Sequence, residues 1–396
     1  MSDSPDVFNY TKKELPSNFI KFGYAAFVVG LVLIILSFFV DNVRSAFSGI
    51  MLLMFVASIG VGSLFWIAAE YLSGAVWSTP FRRVAEFLGA VLFVLPIIAL
   101  PAYLNMHDIF HWTHEEVVKA DHYLSAKAPY LNVSFFTVRT VVFIAIWVLF
   151  YLLITRNSKL QDTTKDQNLT RKNIKLSAIF VPLFALSITF FSIDWLMSLE
   201  PHWYSTIFGV YYFSGTVLAA LAAITYIVVT LGEKGYFFQG VKEDHYYSFG
   251  ALLFGFVNFW AYIAFSQFLL IWYANLPEET IWYLERWEGY WMYFSIALIF
   301  IHFIIPYFGL LAQPSKMNPK RLKFMSLWIL FAHFFDILWM TMPTYQEFGY
   351  IPGWIELGYA IFAIGLILVI FNWKAGKENL VPVGDPKLKR GINFRL

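Results

Sequence analysis

The sequence predicts an all-α integral membrane protein with about ten transmembrane helices. Of its 396 residues, 59% are hydrophobic and only 14% are charged, and a soluble domain of this length does not bury so much apolar surface. The apolar residues also form runs of about 20, the length that a helix needs to cross a bilayer core of about 30 Å. Both observations indicate a multi-pass membrane protein.

Ten such runs are found, numbered here as spans one to ten. Spans two to nine contain Gly, Ser, Asn, Gln and His, as helices packed on one another do, whereas spans one and ten have few polar atoms and are expected to face lipid. We expect two four-helix bundles, spans two to five and spans six to nine, flanked by spans one and ten. The spans cover residues 20–40, 47–72, 84–104, 133–155, 175–198, 203–231, 247–274, 288–312, 322–342 and 355–373.

A weak internal repeat supports the two bundles. Span five ends in Asp194-Trp-Leu-Met-Ser with Pro201 beyond it, and span nine contains Asp336-Ile-Leu-Trp-Met with Pro343 beyond it. The alternative is that Trp, Met and Pro gather at the outer end of any helix. On the repeat, the chain divides into an N-terminus with span one, the first bundle, the second bundle, and span ten with a C-terminal arm, at residues 1–45, 46–200, 201–343 and 344–396.

The basic residues predict the orientation. All but five of the 28 Lys and Arg residues lie at the N-terminus, in the loops after spans two, four, six and eight, or in the C-terminal tail. Because loops rich in Lys and Arg stay in the cytoplasm, both termini are expected to be cytoplasmic. The five on the outer side are Arg44, Lys119, Lys127, Arg139 and Arg286.

Cysteine content narrows the classes of function. The chain has no cysteine, which excludes disulfides, thiolate metal sites, iron–sulfur ligation and thiol nucleophiles within it. The net charge of +2 identifies no partner. We expect lipids around the spans and no nucleic acid.

Three extramembrane segments carry further predictions. In the outer loop 105–132, His107, His111 and His114 are spaced for one helical face; this favours an amphipathic interfacial helix over three imidazoles on a metal ion. The charged inner segment 156–173 is expected to be a flexible loop. The tail 374–396 lacks a helical period and is expected to be an extended arm on a partner or on the protein's own inner face.

Three ionisable residues lie close together at the outer end of span five. Asp194, Glu200 and His202 fall within nine positions, and an Asp within an apolar span costs about 2.5–3.5 kcal/mol on insertion scales. Two carboxylates and an imidazole are the components of a proton-handling site. The alternative is that Asp194 caps its helix and Glu200 is solvated.

Spans eight and nine each contain a histidine, a pattern that suggests a haem held by two imidazoles. Straight helices rising about 1.5 Å per residue place His302 about 21 Å and His333 about 13 Å from the outer end. Since these depths differ by about 8 Å, a haem is not expected. His333 and Asp336 share a helix face, which favours either a proton-transfer pair or a polar clamp between helices.

Other polar residues are expected at further depths of the membrane. Asn258, Tyr262 and Ser266 of span seven form a stripe that either lines a water chain or bonds to neighbouring helices. Glu70 at the inner end of span two is either a proton entrance or an ion-pair partner of Arg82 or Arg83. Ionisable groups spread through the depth of the membrane predict a proton route rather than one substrate pocket. The groups of this predicted path are Glu70, Asp194, Glu200, Asn258, Tyr262, His302, His333 and Asp336.

Five stretches of sequence also carry a family resemblance: Val76-Trp-Ser-Thr-Pro-Phe-Arg-Arg83, His111-Trp-Thr-His-Glu-Glu116, Pro129-Tyr-Leu-Asn132, Asp194-Trp-Leu-Met-Ser-Leu-Glu-Pro-His-Trp203 and Gln267-Phe-Leu-Leu-Ile-Trp-Tyr-Ala-Asn-Leu-Pro-Glu-Glu279. They resemble the large membrane subunits of bacterial alternative complex III, a quinol:cytochrome c oxidoreductase. These subunits are related to the membrane anchor of polysulfide reductase. The last stretch is most similar to the F-type subunit.

The resemblance implies a bacterial inner-membrane protein that acts in a complex. The implied partners are a homologous membrane subunit, an iron–sulfur subunit and haem c subunits, with haem and iron–sulfur centres only in those partners and quinol or menaquinol as the small-molecule ligand. An F-type subunit is implied to serve structure and proton passage. Alternatively, the chain itself oxidises quinol near the outer face, with Asp194 or His202 as the base. A secondary transporter is a third, less favoured reading, because few helix breaks fall at mid-membrane.

Overall fold

The computed structural model describes residues 14–237, 241–346 and 349–396. Within these residues, ten helices are long and apolar enough to cross a membrane and no strand forms, so the predicted fold class is confirmed. The first 13 residues of the predicted cytoplasmic N-terminus lie outside the described ranges. The helices are α1 (Ser17–Val40), α2 (Asn42–Ser73), α3 (Thr79–Leu104), α4 (Val133–Thr164), α5 (Gln167–Trp195), α6 (Phe208–Glu233), α7 (Glu243–Ala274), α8 (Trp291–Leu311), α9 (Pro319–Tyr345) and α10 (Trp354–Lys377).

Helix α2 forms the centre of the molecule and is buried along most of its length. It packs against α3, α5, α6, α9 and α10. Glycines allow this close approach, because a Cβ at Gly62 would lie 2.6 Å from the Cβ of Ala220 on α6. Helices α2–α5 contact one another, as do α6–α9, and α2 and α6 join the two groups. The division of the chain at residues 45, 200 and 343 stays a prediction.

Helix α10 is more buried than predicted, although Leu357, Ile364 and Trp373 remain exposed. It packs along the full length of α1 and also against α2 and α3. Glycines again allow the two helices to approach closely. A Cβ at Gly365 would lie 2.1 Å from the backbone N of Phe27, and a Cβ at Gly30 would lie 2.4 Å from the backbone N of Phe362. Contacts this close bury one face of α10 on α1, while α1 exposes its other apolar face, as expected for a helix in contact with lipid.

The segment 156–173 is helical rather than a flexible loop. Helix α4 continues to Thr164 and α5 begins at Gln167. Lys165 turns the chain with a left-handed backbone (φ 54°), and Asp166 caps α5 by accepting a hydrogen bond from the backbone N of Asn168. Two residues therefore suffice to reverse the chain.

The loop 105–132 is not one amphipathic helix. It contains short helical turns separated by extended residues, among them Phe110 and His114. The break occurs because Phe110 and Trp112 turn inward and pack against Phe136 of α4. The three histidines consequently share no helical face, and His114 Nε2 lies 2.8 Å from the backbone oxygen of His107.

The C-terminal arm packs on the protein's own surface, the second of the two predicted alternatives. Val381 and Leu388 are buried, and Asp385 accepts a hydrogen bond of 2.6 Å from Arg82. We call the side of the molecule that carries this arm and the α2–α3, α4–α5, α6–α7 and α8–α9 turns the basic side. The other side, with the loop 105–132, is the opposite side.

Candidate functional site

The candidate site is a buried cluster of His302 on α8 and His333 and Asp336 on α9, called here the central triad. Each residue is only 1% exposed. Each offers one nitrogen or oxygen, and these three atoms lie within 4.8 Å of one another. The closest defined pair is His302 Nε2 and Asp336 Oδ2, 4.0 Å apart.

The predicted difference in depth between the two histidines is wrong. Counted from the observed helix ends at about 1.5 Å per residue, His302 lies about 17 Å from Trp291 and His333 lies about 18 Å from Tyr345. The error arose because α8 begins three residues later, and α9 ends three residues later, than the sequence predicted. The two imidazoles are therefore level and come together.

Helix α8 opens into a π-helical turn, Ile299–Ile304, at His302. Such wide turns inside α-helices are frequent at functional sites. The imidazole of His302 stacks on the indole of Trp260 on α7, with ring centroids 3.7 Å apart. The same indole donates a hydrogen bond of 3.1 Å to Asp336 Oδ2, so Trp260 orients two members of the triad.

Two hydroxyl groups on other helices form hydrogen bonds with the triad. Tyr211 on α6 donates a hydrogen bond of 2.5 Å to Asp336 Oδ1. His333 Nε2 lies 2.9 Å from Ser58 Oγ on α2. Because Ser58 belongs to the first bundle and His333 to the second, this contact joins the two bundles at the triad.

The hydrogen bonds around Ser58 indicate the tautomer of His333. Ser58 has one proton, and its hydroxyl lies within hydrogen-bonding distance of three acceptors: the backbone oxygen of Met54, Tyr212 and Thr216. Its oxygen is then free to accept a hydrogen bond from His333 Nε2. That assignment leaves His333 Nδ1 as a bare acceptor, and Nδ1 has no hydrogen-bond partner among the described residues.

His302 is the least satisfied polar side chain of the site. Neither Nδ1 nor Nε2 has a hydrogen-bond partner within the described ranges. An unsatisfied buried polar group costs about 1–3 kcal/mol, so a side chain with two of them calls for a functional explanation. A carboxylate 4.0 Å from one of these nitrogens makes proton exchange the chemistry that the triad can perform.

Zinc or haem would bind at the triad only if its side chains moved from the positions described here. Tetrahedral zinc with bonds of about 2.0–2.1 Å holds its ligand atoms about 3.4 Å apart, closer than the 4.0 Å between His302 Nε2 and Asp336 Oδ2. A haem between the two imidazoles would need the space beside His302 that Trp260 and Asp336 fill.

The other predicted ionisable residues form separate buried ion pairs at the two sides of the molecule. On the basic side, Glu70 lies 2.6 Å from Arg82, which also binds Asp385, so the ion-pair alternative for Glu70 is the observed contact. On the opposite side, Asp194 binds Arg139. The structure does not bring Glu70 or Asp194 to the triad.

Glu200 and His202 also have different partners. Arg286 donates a hydrogen bond of 2.9 Å to Glu200. His202 donates one of 2.6 Å to Asp121 in the loop 105–132, and this bond lowers the pKa of Asp121 below its ordinary value. Asp194, Glu200 and His202 therefore do not share one site.

The predicted polar stripe on α7 does not face one interior channel. The amide of Asn258 donates to the backbone oxygen of Phe254 in its own helix. The side chain of Tyr262 is 66% exposed on the surface of the helix group. Among the described residues, no hydrogen bond or ion pair joins either of them to the triad.

Sequence reasoning missed the residues that hold the site together. Tyr211, Trp260 and Ser58 resemble ordinary residues of apolar helices, and nothing in their spacing marks them. The sequence did contain a signal for the ion pairs, because the side predicted to face outward has only three arginines, and each of them binds a carboxylate. The pairs are Arg44–Glu356, Arg139–Asp194 and Arg286–Glu200.

The fold and the site define a multi-pass integral membrane protein with an ionisable cluster buried within its α6–α9 helix group, where it meets α2. Comparison with protein-family models and with curated proteins gave no match.

Proposed function

We propose that this chain is the F-type membrane subunit of a respiratory quinol:electron-acceptor oxidoreductase of the alternative complex III kind. In this proposal, a homologous partner subunit oxidises quinol, and the chain described here conducts protons through the central triad. The family part rests on the five sequence stretches described above. The proton part rests on one observation: His302, with both ring nitrogens unpartnered, lies 4.0 Å from Asp336 inside the helix bundle.

The other buried carboxylates are less suited to exchange a proton. Glu70, Asp194 and Glu200 are each bound to an arginine, and losing one partner of a buried ion pair costs about 3–5 kcal/mol. A proton placed on these carboxylates would weaken such a pair. The triad contains no arginine or lysine, so a proton can pass between an imidazole and a carboxylate without breaking an ion pair. We therefore place the exchange step at the triad.

The proton part is tested with Asp336→Asn in the assembled complex, reconstituted into vesicles. We expect quinol oxidation to continue while proton translocation per electron falls at least tenfold, because the amide cannot take up a proton. Tyr262→Phe on the exposed face of α7 is the matched control and should behave as wild type. Normal translocation in Asp336→Asn would refute the proton part.

The family part is tested by isolating the tagged chain from its own membranes in mild detergent. Co-isolation of c-type haem, iron–sulfur centres and quinol-oxidising activity is the expected result. A chain that is isolated without redox partners, from membranes whose quinol oxidation does not depend on it, would overturn this part.

A second candidate function is quinol binding by this chain at the opposite side, and one observation favours His202 for it. The His202 side chain is 57% exposed and bound to Asp121, as a base oriented by a carboxylate would be. In contrast, both oxygens of Asp194 are occupied by Arg139. A photoreactive quinone that labels the chain beside His202, and no longer labels His202→Asn, would support this candidate; labelling confined to a partner subunit would exclude it.

A further inference from the structure

We infer that the central triad binds a single water molecule, which accepts a proton from His302 and passes one to Asp336. The role of this water rests on the proposed function, but its geometry does not. A bound water would give a nitrogen of His302 the hydrogen-bond partner that the surrounding side chains do not provide.

The spacing of the three groups suits a water molecule. Two atoms that each form a hydrogen bond of about 2.8 Å to one water oxygen, at a tetrahedral angle, lie about 4.6 Å apart. In the triad, His302 Nε2 and Asp336 Oδ2 are 4.0 Å apart, and all three groups lie within 4.8 Å of one another. The 4.0 Å between His302 Nε2 and Asp336 Oδ2 is too long for a direct hydrogen bond, and it matches two hydrogen bonds of about 2.8 Å that meet at one water oxygen at about 90°.

The hydrogen-bonding capacity also matches. A buried water typically makes about three hydrogen bonds and needs two to four polar partners. The two imidazoles and the carboxylate supply three such partners. Asp336 keeps acceptor capacity after binding Tyr211 and Trp260, because an ionised carboxylate accepts about four hydrogen bonds.

The transfer begins with His302 as an imidazolium ion and Asp336 as a carboxylate. A proton on His302 Nε2 moves to the water oxygen, while one of the water's own hydrogens moves to Asp336 Oδ2. His302 becomes neutral, Asp336 becomes protonated and the water is regenerated. Trp260 keeps both end groups in place, since it stacks on His302 and donates to Asp336 Oδ2; it is a positioning residue.

The test is a structure of the assembled complex at a resolution that shows ordered waters. We expect one peak of density about 2.6–3.2 Å from His302 Nε2 and Asp336 Oδ2, the range of ordinary hydrogen bonds. A peak about 2.0–2.1 Å from nitrogen ligands, with the side chains drawn together, would indicate a metal ion and overturn the inference. Direct contact between the two side chains without density would overturn it equally.

Vibrational difference spectra provide a second measurement on the same complex. A water O–H band that shifts in H₂¹⁸O should be present in wild type and unchanged in Tyr262→Phe, and it should be shifted or lost in both Asp336→Asn and His302→Gln, because each variant replaces a partner of the water. A band unchanged in both triad variants would contradict the inference. If the water is found but Asp336→Asn translocates protons normally, the proposed function fails and the water site stands. If no water is found but Asp336→Asn stops translocation, the water site fails and the proposed function stands.

Discussion

Arg139 binds Asp194 at two points: Nε and Nη2 each donate a hydrogen bond of 2.9 Å to a different carboxylate oxygen. Nη1 donates to the backbone oxygen of Tyr130, and the guanidinium lies 3.8 Å from the centroid of the Tyr130 ring. The pair connects α4 to α5 near the opposite side of the molecule. Asp194 therefore has a complete structural role, whatever part it plays in function.

Removing Arg139 should be strongly destabilising. Arg139→Leu leaves the carboxylate of Asp194 buried without its partner, and such a loss costs about 3–5 kcal/mol. The double variant Arg139→Leu with Asp194→Leu should recover most of this, since replacing both members of a buried pair by apolar residues is often neutral. Unfolding of the detergent-solubilised protein measures both variants. A single variant as stable as wild type would show that the pair contributes nothing.

The close packing of α1 on α10 predicts a position-specific response to alanine. Gly365→Ala would place a Cβ 2.1 Å from the backbone of Phe27, and overpacking of this kind typically costs about 1–3 kcal/mol. Gly255→Ala is the matched control, because a Cβ at Gly255 on α7 meets nothing within 4 Å. It should be neutral or stabilising by up to about 1 kcal/mol through helix propensity. Thermal unfolding in detergent measures the stability of both variants. An equal change in stability for the two would contradict this position-specific prediction.

The C-terminal arm should detach when Asp385 is changed. Asp385 binds Arg82 at 2.6 Å while Glu70 binds the same guanidinium, so Asp385→Ala removes the arm's buried anchor. We expect trypsin to cut the arm at Lys387 and Arg390 at least tenfold faster than in wild type. Asn393→Ala, an exposed change on the same arm, should leave the cleavage rate unaltered. Equal rates in the two variants would mean that the other contacts of the arm hold it without this ion pair, among them Gly384 N to Asp162 and Gly391 O to His245.

The hydrogen bond from His202 to Asp121 predicts a pH dependence of the loop 105–132. The bond holds the folded-state pKa of Asp121 below its ordinary value of 3.8. Its contribution is therefore complete above that ordinary value and is lost as the pH falls through the lowered pKa. Asp121 also caps the helix His122–Lys127. Hydrogen exchange of the first backbone amides of this helix, corrected for the intrinsic exchange rate, should become faster on acidification below pH 4.

Asp121→Asn provides the control for this prediction. The amide oxygen can still cap the short helix, but it does not titrate in this range. Exchange in the variant should therefore lose the acid-dependent step. The same step in both proteins would place its origin in another group.

The predicted orientation is open to direct measurement because the natural chain has no cysteine. Lys119→Cys lies on the opposite side and Gln167→Cys lies at the α4–α5 turn, and both positions are exposed. A membrane-impermeant maleimide should label only the first variant in intact cells and both after permeabilisation. The inverse pattern would reverse the orientation inferred from the basic residues.

Apolar run length was enough to predict the fold class, because each helix must satisfy its own backbone within lipid. Helix ends were less accurate: the segment 156–173 belongs almost entirely to α4 and α5. Each residue of error moves a side chain by about 1.5 Å along the axis, and this error separated His302 from His333. The partners Trp260 and Ser58 depend on how helices cross, which a single sequence does not specify.

The position of α2 at the centre of the fold has a consequence for synthesis of the chain. Ser58 meets His333, a residue made 275 positions later. At about 5–20 residues per second, the ribosome needs about 14–55 s to produce that partner. During this interval the Ser58 hydroxyl is satisfied by the Met54 carbonyl of its own helix, so α2 can enter the bilayer before the second half of the protein exists.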